Sequence, residues 1–172
     1  TTCYYLETLA HYPALRQAVS IYHPDLQGPF DVAHLLWGPD IFLAIYDCPE
    51  LVHSLLELIT ATYISCLTTW KRLVGEGNDW TVHWSIWQRG GTMVRDDSAV
   101  MFSNAQYREF IQPYDQRVLD VFGGSVHFCG RGTQFLPALV EGHQLYGINM
   151  SQPELNEMQL VWELCSQRHI VL

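Results

Sequence analysis

From residue 103 onward the chain alternates capped amphipathic helices with short apolar runs, and this alternation constrains the fold more than any other feature. Ser103, with Gln106 three positions later, opens a helix whose Tyr107, Phe110, Ile111, Tyr114 and Val118 share one face. The helix stops at Gly123-Gly124, and Pro113 is expected to kink it, because proline has no N–H for the preceding turn. Next come the β-type run SVHFC, a helix capped by Thr133 and closed at Gly142, and the run LYGIN. A helix near 152–167, capped by Ser151 and Glu154, and the final run HIVL complete the series. Strand, helix, strand, helix, strand with short connections makes right-handed crossovers and a parallel sheet covered by helices. The expected class is α/β.

Upstream, DCPELVHSLLELITATYISCLTTWKRLVGEG places Val52, Leu55, Leu56, Ile59, Tyr63, Leu67, Trp70 and Val74 at helical spacing. A long helix over 48–74 is expected, capped by Asp47 with Glu50 and ended by Lys71, Arg72 and Gly75. The runs AVSIYHPD, WTVHWSIW and TMVRDD supply further strand candidates, about five strands in all. Trp80, Val82, Trp84 and Ile86 alternate as on a half-exposed strand.

A length of 172 residues with 48% apolar and 16% charged side chains suits one folded domain. Eighteen acidic against nine basic residues give a net charge of -9, which repels nucleic acid and anionic lipid surfaces. No uncharged stretch reads as a membrane span, so neither nucleic acid nor membrane is an expected partner and the cytoplasm is the expected location. The five cysteines form no CxxC pair, which points to reduced thiols. A start at Thr1-Thr2 and a stop in HIVL suggest a piece of a longer chain.

The stretch GGSVHFCGRGTQ (123–134) carries the sharpest chemical signal. His127 and Cys129 are two apart on a strand, so they point to one side at its carboxyl end, where α/β enzymes gather their ligands. An imidazole beside a thiolate is half of a zinc site; a buried cysteine beside a hydrogen-bonded histidine has the same spacing. Asp96 and Asp97, ending TMVRDD, are candidates for a general base or for orienting a ligand histidine. Gln27, His83 and Trp87 are candidate pocket-lining residues, Arg131 a candidate clamp for a carboxylate or sulfonate, and Gln152 a candidate pocket residue beyond LYGIN. His34 and Trp37 read as packing residues.

HPDLQGPFDVAHLLWG (23–38), DCPELVHSLLELI (47–59), RDDSAVMFSNAQYREFIQPY (95–114), VHFCG (126–130) and NMSQPELNEM (149–158) together resemble the uroporphyrinogen decarboxylase superfamily. The resemblance implies a partial (β/α)8 TIM barrel, with residues 1–172 forming a single segment that supplies roughly strands three to seven of eight. Two sheet edges would then need cover from another copy or from further chain. For the methyltransferase branch it implies that His127 and Cys129 hold zinc, which activates a small thiol substrate to accept a methyl group from a corrinoid protein. That branch's third ligand is a downstream cysteine; Cys165 is rejected because its helix runs back toward the opposite face, which places the partner cysteine beyond residue 172. The decarboxylase branch would instead act on a tetrapyrrole without metal, and a non-catalytic segment or a homo-oligomer is also compatible with the resemblance.

Overall fold

A computed structural model describes residues 1–172. Helices α1 (Thr2–Ala10) and α2 (Pro13–Ala18) bury no residue and lead into an extended stretch that reaches Gln27. Proline occupies the first turn of both α3 (Pro29–Trp37) and α5 (Pro49–Val74), where its missing N–H has no acceptor to lose. Between them lies α4 (Ile41–Asp47), whose last residue is the Asp47 expected to cap α5. Cys48 takes the N-cap position instead and makes no side-chain bond.

Helix α5 buries Val52, Leu56, Ile59, Tyr63 and Leu67, and it ends at Gly75 in the left-handed conformation (φ 77°). An 18-residue window of α5 has a mean hydropathy of 1.4, long and apolar enough to cross a membrane by length and composition. Its buried stripe joins the main apolar core.

Strands β1 (Trp80–His83) and β2 (Ile86–Arg89) form an antiparallel hairpin, so WTVHWSIW is not a strand of the parallel sheet. The hairpin has the expected half-exposed face. Thr81, His83 and Gln88 are buried while Trp80, Trp84 and Trp87 are exposed, because the inward side of the hairpin meets the main sheet rather than the apolar core.

The main sheet begins with β3 (Thr92–Arg95). A 3-10 turn (Asp97–Met101) then leads to α6 (Asn104–Phe110), where Ser103 and Gln106 make the expected capping box. Ahead of Pro113 the helix breaks at Ile111 and restarts as α7 (Gln112–Phe122), so the expected kink is a full interruption. Strand β4 (Gly124–Phe128), α8 (Leu136–Leu139), β5 (Leu145–Met150) and α9 (Met158–Arg168) follow. Thr133 does not cap α8; its hydroxyl accepts the Glu157 N–H at 3.0 Å. Ser151 and Glu154 do not cap α9 either, because a 3-10 turn at Pro153–Leu155 precedes it and Gln152 and Asn156 bind the loop after β4.

The three strands pair in parallel in the order β3-β4-β5, with helices packed on one face. The sheet is extended by single parallel bridges, Gln27 to Arg95 on one edge and Val171 to Gly147 on the other. AVSIYHPD and HIVL therefore contribute bridges, not full strands. The fold is mixed α/β, as expected.

Alternation along the strands divides the sheet. Val94, Val126, Phe128 and Ile148 enter the core under the helices. Met93, Arg95, Ser125, His127 and Asn149 have the opposite parity and lie on the hairpin side, with Arg95, His127 and Asn149 side by side in register. The strand starts are drawn together by glycine: a Cβ on Gly124 (φ 151°) would strike the Thr92 carbonyl, and one on Gly90 (φ 95°) would strike Gly124.

Candidate metal centre

At the carboxyl end of this polar face, ligand-type atoms of Asp97, His127 and Cys129 lie within 4.8 Å of one another. His127 is 2% exposed, and its Nδ1 is 2.6 Å from Asn149 Oδ1. With Nδ1–H donating to that oxygen, Nε2 is left as the bare nitrogen. It faces Cys129 Sγ at 3.3 Å and Asp97 Oδ1 at 3.6 Å. Tetrahedral zinc bonds to sulfur, nitrogen and oxygen would place such ligand atoms about 3.4–3.6 Å apart, so the donor types suit zinc and the two separations from Nε2 match its spacing, while Cys129 Sγ and the Asp97 carboxylate lie within 4.8 Å of each other. Three protein ligands would leave one position open, the arrangement of a catalytic site.

The surroundings fix each member. Cys129 N–H donates to Asp97 Oδ1 at 2.9 Å, and Cys129 Sγ–H donates to Ser151 Oγ at 3.3 Å. Partial burial pushes the Cys129 thiol pKa up, and the neighbouring Asp97 carboxylate pushes the same way against the lowering effect of Ser151. The Asp97 segment is held from behind: Asp31 of α3 accepts the Asp97 and Ser98 N–H groups at 2.9 and 2.8 Å. Burial raises the pKa of Asp31 in spite of those bonds. Arg95 pairs with Asp25 at 2.6 Å and reaches Asp97 at 3.5 Å, so its charge is shared between two carboxylates.

Other expected residues divide. The Gln27 amide, with nitrogen toward Asp31 Oδ2 (3.1 Å) and oxygen toward Arg95 Nη1 (3.2 Å), flanks the centre. His83 is buried with Nε2 3.2 Å from Asp25 Oδ1, and burial lowers its pKa. Gln152 accepts the Gly130 N–H at 2.6 Å, which makes it a support of the loop rather than a pocket residue. Trp87 is 67% exposed and stacks on Trp80 on the outer side of the hairpin, away from the centre. Arg131 is exposed, and its side chain meets no partner. The glycine at 132 serves packing, since a Cβ there would strike the Phe128 and Phe135 rings.

The two adjacent aspartates have opposite fates. Asp97 joins the cluster as its third ligand-type group, a position the sequence reading left to a cysteine further on. Asp96 has the other parity and is buried on the helix side against Asp115 of α7, where the carboxyl oxygens of the pair meet no other donor. Burial raises both pKa values, Asp115 to about 7 and Asp96 well above its usual value, and the pair keeps a proton between its carboxyls. Asp96 is therefore a structural group and not a base at the centre. Cys165 is buried in α9, with its thiol pushed up to about 11 by burial, and it takes no part in the cluster. His34 bonds Ser98 Oγ at 3.0 Å and packs on Phe42, and Trp37 packs on the core, as expected of packing residues.

Asn149, Trp84, Asp25 and Asp31 contribute to the site and were not singled out from the sequence. Asn149 sets the His127 tautomer, and the Trp84 ring stands edge-on to His127 with centroids 5.0 Å apart. Trp84 sits at the hairpin turn with φ 51°, an uncommon conformation for a large side chain. No family model, curated protein or solved structure matches this chain.

Proposed function

We propose that this chain is a segment of a uroporphyrinogen decarboxylase-type (β/α)8 barrel, roughly strands three to seven, whose Asp97, His127 and Cys129 hold zinc for methyl transfer to a thiol. The observation that carries the reading is the convergence of three zinc-type donors within 4.8 Å at the carboxyl end of parallel strands. When bound, zinc would hold the acceptor sulfur as a thiolate near neutral pH, ready to take a methyl group from a corrinoid protein. Asn149 holds the His127 proton on Nδ1, so that Nε2 presents its lone pair to the centre. Ser151 Oγ lies 3.3 Å from Cys129 Sγ, where its hydroxyl would donate to the zinc-holding thiolate and steady the sulfur. Asp31 fixes the backbone that carries Asp97, and the Trp84 ring shields His127 from water. A cytoplasmic setting and a possible homo-oligomer accompany this reading.

The metal-free decarboxylase reading draws less support. A polycarboxylate tetrapyrrole needs several unpaired guanidinium groups. Arg95, the guanidinium beside the centre, is already occupied by Asp25 and Asp97.

The test is zinc per mole of protein after zinc-supplemented purification, for wild type, His127→Ala, Cys129→Ser and Asp97→Asn, with melting temperatures compared. One zinc in the wild type and a loss in each variant are expected. Equal zinc in all four proteins, or none in the wild type, leaves the cluster as a hydrogen-bonded core and favours the non-catalytic or decarboxylase alternatives.

A further inference from the structure

At the amino end of the sheet, opposite the metal centre, a cleft of about 340 Å³ opens between the end of β2, the loop before β5 and the end of α9. Arg89, His143, Arg168 and His169 line it, and no carboxylate does. The cleft thus gathers two of the nine basic side chains of a chain whose net charge is -9. Neither guanidinium enters any of the ion pairs of the protein. Glu141, beside the rim in sequence, is occupied by the Arg108 guanidinium at 2.6 and 2.8 Å. A cation in the last turn of a helix answers the helix dipole, which accounts for Arg168 on α9 but not for Arg89, which comes from the hairpin.

The rim is held in place from behind. The Gln116 amide of α7 clamps the His143 backbone, accepting its N–H at 2.8 Å and donating to its carbonyl at 3.0 Å. Gln144 Nε2 donates to the Asp120 carbonyl at 2.9 Å. The Arg89 guanidinium rests 4.2 Å from the centroid of the Tyr146 ring, a contact that orients it. Gln144 (φ 54°) and His169 (φ 56°), two of the three non-glycine residues with positive φ, both line the cleft. Such backbone is costly and collects at ligand sites.

We propose that this cleft binds a diphosphate group. Two guanidinium groups from separate elements can each take one phosphate through paired N–H···O bonds, and the two imidazoles supply further donors. A single carboxylate offers one such pair of acceptors and would leave the second guanidinium without a partner. Donors already held in place reduce the ordering cost of binding. The volume falls in the range of small-molecule cavities. None of these side chains belongs to the metal cluster, so the site is independent of the zinc reading.

Inorganic pyrophosphate is a direct probe, with orthophosphate and acetate as controls that lack the second phosphate and both phosphates respectively. Calorimetry on the whole chain at about 0.15 M salt should show saturable one-to-one pyrophosphate binding, with each control at least about tenfold weaker. Arg89→Met and Arg168→Met should each weaken pyrophosphate about tenfold or more, while the melting temperatures of the unliganded variants stay at the wild-type value. Arg72→Met removes an exposed, unpaired arginine on α5 and should bind pyrophosphate like the wild type, which separates a built cleft from diffuse attraction. Cys129→Ser should also bind like the wild type, which separates the cleft from the metal centre. The proposal is overturned by absent saturation with pyrophosphate, by equal affinity for acetate, by Arg89→Met or Arg168→Met variants that bind normally, by an Arg72→Met variant that loses as much as they do, or by loss of binding in Cys129→Ser.

Discussion

The buried Asp96–Asp115 pair should make the protein lose stability as the pH rises from 5 to 8. Burial lifts the Asp115 pKa from 3.8 to about 7, while the hydrogen bond with Asp96 moderates the rise. Across that interval the folded chain holds a proton that the unfolded chain has released, so stability falls with each pH unit. The contribution is complete below 3.8 and is lost as the pH passes 7. A rise of about three units at 1.36 kcal/mol each sets an upper limit of about 4 kcal/mol for Asp115. Asp96, raised further, adds slope of the same sign. Asp115→Asn keeps the volume and a hydrogen-bonding group but removes the ionisation. Urea unfolding followed by circular dichroism at pH 5, 6, 7 and 8 should show a falling wild-type stability and a clearly flatter profile for the variant. A wild-type stability that is level or rises over this range, or an identical slope in Asp115→Asn, would refute the argument.

Asn149→Ala should lower zinc affinity about 10- to 100-fold, read by competition with a chelator, because the His127 tautomer is no longer fixed. Gly28→Ala should destabilise by about 1–3 kcal/mol in thermal melts, since the added Cβ would run into the Asp96 carboxyl and the Arg95 carbonyl. Burial opposes ionisation of Glu76, but hydrogen bonds from His23 and Thr81 and the charges of His23 and Lys71 prevail and bring its pKa to about 2. Its contribution is present above pH 4.5 and fades as the pH falls through 2, so Glu76→Gln should show a smaller loss of stability in acid titrations than the wild type.

The parallel pairing of SVHFC with LYGIN and the helices around them were legible because apolar periodicity is a local signal, while of the expected caps only the Ser103–Gln106 box formed and HIVL supplied a single bridge. His127 and Cys129 were legible for a similar reason, since a two-residue spacing at a strand end fixes their common direction. Asn149 was not, because its place beside His127 depends on the register of two strands twenty residues apart, and one sequence does not encode register locally. Trp84 was hidden by a turn that lacks the usual glycine or asparagine, so two short strands read as one. Asp96 and Asp97 were read as equivalent neighbours; strand parity sends one into the core and keeps the other at the rim.

The two-sided sheet has a consequence for how such a protein can change. Residues of one parity on β3, β4 and β5 anchor the helices, and residues of the other parity touch only the hairpin side. Mutations on the hairpin side therefore leave the helix packing untouched, so the same scaffold can be redirected to new chemistry one strand position at a time, within the volume that the buried Met93, Ser125 and His127 allow.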